Sequence, residues 1–405
     1  MNSNQFSQMG LSAPLVETLR KIGITEPTEI QTKAIPHILA GRELLGSAET
    51  GSGKTAAFLL PIIERLKGPG AARALVLAPT RELALQIDKN AKIMGRSARL
   101  KSVAVVGGAN MGSQIRALNS GVDIIIATPG RLNDLLERRA VSLKSVEVVV
   151  LDEADRMLDM GFLPQVKRIA AHVPSNRKMF LFSATISREV EKLAREMQTN
   201  PVRVDAARKK VTVATLTQKV FPVLTHAKTP LLLELLKQNA EGSFIVFTRT
   251  RRGADRLARV LSVNQYRVAT LHSDRTQSQR NAALESFRSG NARVLVATDV
   301  AARGIDVDDI SHVVNYDVPA TADDYIHRVG RTARAGRGGS ALTLVSPEEE
   351  SVLSSIERAT GQKFDRSGLK GFSDGRSERQ ISLAAEIAHL RSSGTRSFTP
   401  RRASR

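Results

Sequence analysis

Four apolar residues, Val148-Val149-Val150-Leu151, run straight into Asp152 and Glu153, with Asp155 one alanine further on. A run this short and this uniformly apolar reads as a strand covered on both faces, the habit of parallel sheets. Parallel strands need long crossovers, usually helical, so this one feature dictates what must surround it. The chain supplies those surroundings. Short apolar runs recur at Leu44–Ser47, Ala74–Ala78, Ser102–Val106, Asp123–Ala127, Val146–Leu151 and Lys178–Phe182, separated by amphipathic segments such as Thr55–Leu66, Arg81–Ile93 and Arg131–Arg138. The alternation predicts an α/β layer structure, a mostly parallel sheet flanked by helices. Ligands of such sheets sit beyond the carboxyl ends of the strands, so the three acids stand where a metal or a polarised water is met. In isolation the same acids read more readily as a solvated turn, and the rest of the chain has to decide.

At 405 residues, a typical domain of about 150 residues predicts two or three domains. A second strand–helix series follows Asn200-Pro201, with strands expected at Phe244–Phe247, Arg267–Leu271, Arg293–Ala297, His312–Asn315 and Ala341–Val345. Helices are expected there at Pro230–Gln238, Arg252–Leu261 and Gln277–Ser286. The reading is therefore a first domain over residues 1–205, a short basic linker over 206–215, a second α/β domain over 216–363 and a Ser-, Gly- and Arg-rich tail over 364–405. That tail reads as mostly disordered, with one short helix at Ile381–Leu390, and its charge suits a sequence-independent arm for nucleic acid.

Charge narrows the partner. A formal net charge of +20 calls for a polyanion, nucleic acid or an acidic surface. Only 4% of residues are aromatic, with no Trp and three Tyr, so a row of stacking platforms for single strands cannot be assembled. The grip must fall on phosphates and sugars, which predicts weak sequence preference and strong salt dependence. The absence of cysteine excludes disulfides and thiolate-held zinc or iron–sulfur centres. No apolar run approaches the roughly 18 residues of a spanning helix, and Met1-Asn-Ser-Asn-Gln-Phe6 has no signal-peptide pattern, so a cytoplasmic protein without membrane contact is expected.

Ala48-Glu-Thr-Gly-Ser-Gly-Lys-Thr55 follows an expected strand and opens an expected helix. Glycines there let backbone N–H groups close on phosphate oxygens, and the helix N-terminus favours negative charge. Thr50, Gly51, Ser52 and Gly53 form the cradle, Lys54 reaches the β- and γ-phosphates, and the Thr55 hydroxyl is placed for Mg²⁺. The general pattern has glycine where this chain has Ala48. With a phosphate loop present, Asp152 becomes a second magnesium residue and Glu153 a group to orient or activate water. Hydrolysis also needs positive charge on the departing γ-phosphate, and His327-Arg-Val-Gly-Arg-Thr-Ala-Arg334 offers three arginines.

The set of blocks resembles the DEAD-box RNA helicases, ATPases with two tandem RecA-like domains. Asp152-Glu-Ala-Asp155 matches the motif that names the family. The others stand in family order: Gly23 to Gln31 with Phe6 upstream, the phosphate loop, Pro79-Thr-Arg-Glu-Leu-Ala84, Gly107-Gly108, Thr128-Pro-Gly-Arg131, Ser183-Ala-Thr185, Val246-Phe-Thr-Arg249, Gln277 with Arg280, Thr298 to Asp306, and His327 to Arg334. Leu151 to Phe162 further resembles the bacterial RhlE-like branch.

The resemblance implies roles. Gln31 has the donor–acceptor pair that reads the edge of adenine, with Phe6 stacked on the base, and Asp306 meets the ribose. Arg331 and Arg334 would meet the γ-phosphate. Asp155, Ser183, Thr185, His327 and Arg328 would couple the site to domain movement. RNA contacts would run over Pro79, Thr80, Arg81, Gly108, Thr128 and Arg131 in the first domain, and Thr248, Arg249, Arg280, Thr298 and Asp299 in the second. Contacts to 2′-hydroxyls would select RNA over DNA. Departures from the family pattern are Glu49 for Gln, Ile24 for an aromatic residue, Ser273 in a His-Gly-Asp-like block, and Ala333 for glycine. None removes a group the chemistry requires. The implied activity is an ATP- and Mg²⁺-dependent helicase that binds single-stranded RNA, or a duplex with an overhang, and locally unwinds it. An RNA clamp that cycles ATP slowly and a DNA-directed ATPase are the rival readings. Ribosome assembly, mRNA decay and cold adaptation are equally compatible settings, with ribosomal or mRNA-decay complexes as partners.

Overall fold

The computed structural model describes residues 4–48, 51–66, 71–206, 216–302, 310–332 and 338–373. These form two compact units, divided after residue 206. The first holds strands β1 (Leu44–Ser47), β2 (Ala74–Leu77), β3 (Ser102–Val105), β4 (Ile124–Ala127), β5 (Val148–Leu151), β6 (Lys178–Ser183) and β7 (Val202–Asp205). They pair in the order β3-β4-β2-β5-β6-β1-β7, every neighbour parallel.

Alternation along each strand explains the uniformly apolar runs. In β2, Ala74 and Val76 join one buried cluster while Leu75 and Leu77 join another; in β5, Val148 and Val150 part from Val149 and Leu151 in the same way. Both faces of the sheet are thus covered, so neither parity of residue can be polar. One cluster takes in the helices Glu29–Leu39, Lys54–Arg65 and Arg81–Met94, the other Pro129–Glu137, Leu163–Ala170 and Arg188–Met197.

The second unit holds β8 (Leu216–Pro222), β9 (Phe244–Phe247), β10 (Val268–Leu271), β11 (Val294–Ala297), β12 (His312–Asn315), β13 (Gly339–Val345) and β14 (Asp365–Arg366). Their order, β10-β11-β9-β12-β13-β8-β14, repeats the first sheet strand for strand, each label seven higher, again all parallel. Two copies of one topology stand in tandem, although the chain shows no shared local sequence.

One boundary is corrected. Residues 364–373 belong to the second unit and not to a tail. Phe364 is buried against the Tyr325 ring at a centroid distance of 4.9 Å. Asp365–Arg366 pairs with β8, Arg366 binds both Glu350 and Glu357, and Leu369 and Phe372 pack on the core. A two-residue strand flanked by Ser, Gly and Arg leaves too short an apolar pattern to read. The expected linker beyond Ala206, the remaining tail from residue 374 and its helix at Ile381–Leu390 lie outside the described residues.

Candidate nucleotide and nucleic-acid site

In the first unit the motifs gather along one edge of the sheet, where each begins as the strand pairing ends. The Ala48 N–H donates to the Ser183 carbonyl (3.0 Å), Ala78 to Ala127 (2.9 Å), Thr128 to Val105 (3.0 Å) and Asp152 to Leu77 (3.0 Å). Because β5, β6 and β1 are neighbours, Asp152, Ser183 and the phosphate loop stand side by side. Because β3, β4 and β2 are neighbours, so do Gly108, Thr128 and Thr80. The edge divides into an anion-and-acid half and a half of hydroxyls, glycines and arginines.

In the first half, Gly53 has φ +93° and caps the helix Lys54–Arg65; Gly51 has φ +84°. A Cβ on Gly53 would collide with the Gln31 side-chain nitrogen, so both conformation and space require glycine there. Gln31 is buried; its Oε1 accepts from the Thr28 N–H (3.0 Å) and its Nε2 donates to the Gly53 carbonyl (3.1 Å). It braces the phosphate loop from behind, a contact the sequence reading missed.

Phe6 needs a correction. It is fully buried, and its ring anchors the short helix Gln5–Gln8 in the core with Leu11, Leu15 and Leu19. A ring without an open face cannot stack on a base, so Phe6 is a core residue here. Ser52 and Thr55 are half-buried in the loop and first helical turn. Thr50 lies outside the described residues, as do Asp306 and Arg334.

The Lys54 Nζ is buried with no hydrogen-bond partner among the described residues. Burial pushes the Asp152 carboxyl up to about 6, against the pull of the Lys54 ammonium and reinforced by the charges of Glu153 and Asp155. An ammonium without a bond and a carboxylate out of water make a half-finished charge cluster, which an anion and a cation would complete. Glu153 follows with left-handed backbone (φ +55°, ψ +53°), an uncommon choice for a side chain with a Cβ. Its Oε2 lies 3.4 Å from the Arg156 Nη1, and both side chains are buried.

Asp155 turns the other way. One carboxylate oxygen, Oδ2, accepts from the Ala184 N–H (3.1 Å), the Thr185 N–H (3.0 Å) and the Thr185 hydroxyl (3.0 Å). The Ser183 hydroxyl accepts from the Asp155 N–H and donates to the Thr185 carbonyl (2.7 Å). The structure therefore brings Asp155, Ser183 and Thr185 into one network.

In the other half, buried Pro79 leads into Thr80, which caps the helix Arg81–Met94 by accepting from the Leu83 N–H (3.3 Å). The Arg81 guanidinium lies across Gly107 and Gly108; Gly108 has φ +72°, and any Cβ would strike Arg81. Arg131 donates to the Ala109 carbonyl (3.1 Å) and Gln114 to that of Val106 (2.9 Å), holding the glycine turn from two sides.

The second unit repeats the arrangement at the ends of β9 and β11. Thr248 is buried, its hydroxyl donating to the Thr250 carbonyl (3.3 Å). Thr298 and Arg280 are also buried. Exposed Arg249 is held by Glu349 (3.1 Å), whose carboxylate also takes buried Lys228 (2.5 Å) and the Val318 N–H (3.3 Å). Glu349 is a hub that no motif signalled. The Arg328 guanidinium grips Asp299 with two bonds (2.6 and 2.7 Å) and also donates to Asn315 (3.0 Å) and the Asp317 carbonyl (2.7 Å). Those bonds pair Arg328 with Asp299 within the second unit, so it holds the β11 and β12 ends together. His327 is half-buried, and its carbonyl accepts from the Nε of buried Arg331 (3.3 Å).

Residues 28–193 match the family model for DEAD/DEAH box helicases, and residues 227–336 that for the helicase conserved C-terminal domain. The chain is 42% identical over 363 residues to the DEAD-box ATP-dependent RNA helicase CshA of Bacillus subtilis, covering 89% of this chain and 73% of that protein. It is 41% identical over 360 residues to the DEAD-box ATP-dependent RNA helicase RhpA of Helicobacter pylori, with the same coverage of 89% and 73%. Among solved structures it is similar to S. cerevisiae Dbp5 bound to RNA and ADP BeF3, with TM-score 0.83 and 30% identity over 95% of this chain and 100% of that one. Mss116p bound to ssRNA and AMP-PNP gives TM-score 0.82 at 27% identity, over 95% of this chain and 81% of that one. With both helicase models in chain order, and identity above 40% across most of its relatives' length, the chain belongs to the DEAD-box ATP-dependent RNA helicases, which hydrolyse ATP to bind and remodel RNA.

Proposed function

We propose that the divided edge of the first sheet assigns the work: ATP at the ends of β1, β5 and β6, and one RNA strand along the ends of β2, β4 and β3. The observation that carries this is the adjacency itself, phosphate loop beside buried acids on one side, Thr80, Arg81, Gly108 and Thr128 on the other. Lys54 takes the β- and γ-phosphates, and Glu153 orients the attacking water. Thr55 and Asp152 would hold Mg²⁺, which would offset negative charge on the phosphates. The unbonded Lys54 ammonium and the elevated Asp152 fit that pair of ligands. Arg331 and Arg334 supply positive charge to the leaving γ-phosphate. Arg249, Arg280, Thr248 and Thr298 extend the grip on the strand. A ligand that draws on groups of both domains favours the arrangement in which both sets reach it.

Unwinding is tested by strand displacement on a short duplex with a single-stranded overhang. Displacement that requires ATP supports the reading, and displacement no greater than without ATP overturns it in favour of a clamp. Matched RNA and DNA oligonucleotides then separate the polymers: RNA should stimulate ATP turnover more strongly. We place the protein in the cytoplasm, with structured RNA in ribosomal or mRNA-decay complexes as its target; the net charge of +20 supports a polyanion partner.

Residues 374–405 contain seven arginines against three acids. If they neutralise about four phosphates of a single strand, their removal should reduce the slope of log affinity against log salt by up to roughly 3. Binding titrations at several salt concentrations, with and without the segment, measure this. An unchanged slope would show that the segment makes no contact with RNA.

A further inference from the structure

Arg156 is among the largest wholly buried side chains of the described residues. Its Nη1 sits 3.4 Å from the Glu153 Oε2, within ion-pair range but outside hydrogen-bond alignment. Nη1, Nη2 and the Glu153 Oε2 are all buried without hydrogen-bond partners among the described residues. Three such atoms in one pair are a net cost to folding, and apolar side chains of similar volume at both 153 and 156 would remove that cost. A second cost converges on the same carboxylate, since Glu153 holds left-handed backbone without being glycine. Two expensive features acting on one side chain, at the end of the strand that also carries Asp152, point away from stability and toward placement.

We infer that Arg156 is a positioning residue for Glu153. The left-handed backbone aims the start of the side chain. The guanidinium, one helical turn further on, holds its far end, so the carboxylate is restrained at both ends before ATP arrives. The loose alignment leaves the Glu153 Oε2 with an acceptor site still to be filled, which is what a residue that must take a hydrogen bond from water requires. This rests on the reading of Glu153 as the water-handling group.

The test uses the full-length chain with saturating single-stranded RNA. R156M should lower kcat for ATP by 10-fold or more, with KM for ATP and RNA affinity within about 3-fold of wild type. R156K, which keeps the charge but not the planar fork, should fall between the two. If Met does not fold, the Lys variant reads the same point: kcat reduced at constant KM. In an E153Q background, R156M should change the residual single-turnover rate by less than 2-fold, because a group acting through Glu153 has nothing left to place. A full 10-fold loss in that background, a parallel loss of ATP binding, or an R156M kcat within 2-fold of wild type would each overturn the inference. If E153Q itself turned over normally, the assignment of Glu153 would fail instead, and the two failures are told apart by that single variant.

Discussion

Glu153→Gln is expected to lower RNA-stimulated ATP turnover by about 10²–10⁴-fold, the range for losing a positioned acid–base group. Gln keeps the size of the side chain but cannot take a proton from water. ATP and RNA affinity should remain within about 3-fold, since neither the phosphate loop nor the Arg81–Gly108 surface is touched. The same change has a structural signature. Arg156 loses its counter-charge while staying buried, and breaking a buried pair from one side costs about 3–5 kcal/mol. The variant should therefore unfold at lower temperature than wild type, and a second change of Arg156 to Met should recover part of that loss. Turnover is read with a coupled phosphate assay, stability by thermal denaturation without nucleotide. Turnover within 10-fold of wild type would sink the assignment of Glu153, whatever the stability showed.

The interior of both sheets was legible because strands covered on both faces leave no room for polar residues. β1, β9 and β12 match their apolar runs end for end. Of the edge strands, β3 and β10 were legible, while β7 and β14 at the opposite edges were not. β7 is Val-Arg-Val-Asp and β14 only Asp-Arg, and alternating charge at a half-covered edge looks like a loop. β8, Leu216–Pro222, is covered on one side only by the two residues of β14 and mixes exposed and buried positions.

For the site, residue types and order sufficed to place the phosphate loop, the acids and the Ser183–Thr185 pair, because those sit where strands end. What sequence cannot express is the direction of a long side chain. Arg156 and Arg328 look like surface charges in the strings Ala154-Asp-Arg-Met and Ile326-His-Arg-Val, yet both are buried and committed to carboxylates. Phe6 failed for the opposite reason. A lone aromatic near a nucleotide motif invites a stacking role, while the fold buries its ring in the cluster that holds Leu11, Leu15 and Leu19.

Asp152→Asn should act on stability in the opposite sense to its neighbour's change. In the folded chain the Asp152 carboxyl is pushed up to about 6 by burial, from an ordinary value of 3.8. As pH rises from 4 to 6 the unfolded chain releases this proton first, so the folded state binds more protons and loses stability through that window. Above about 6 the penalty is complete, and at about 1.4 kcal/mol per tenfold it amounts to about 3 kcal/mol. Asn is neutral at every pH and escapes it. Urea denaturation of the nucleotide-free protein should find the Asn variant more stable than wild type by up to about 3 kcal/mol at pH 7.5, with the gap closing toward pH 4. Equal stability at pH 7.5, or a gap that widens on acidification, would refute this account of the buried carboxyl. Stability gained here is function lost. The charge that burial makes costly is the one proposed to hold Mg²⁺ on ATP, so the variant should lose turnover and the extra stabilisation that wild type gains from magnesium and nucleotide together. Two adjacent acids, neutralised one at a time, thus predict inactive proteins displaced in opposite directions from wild type, because desolvation by burial governs Asp152 and pairing with Arg156 governs Glu153.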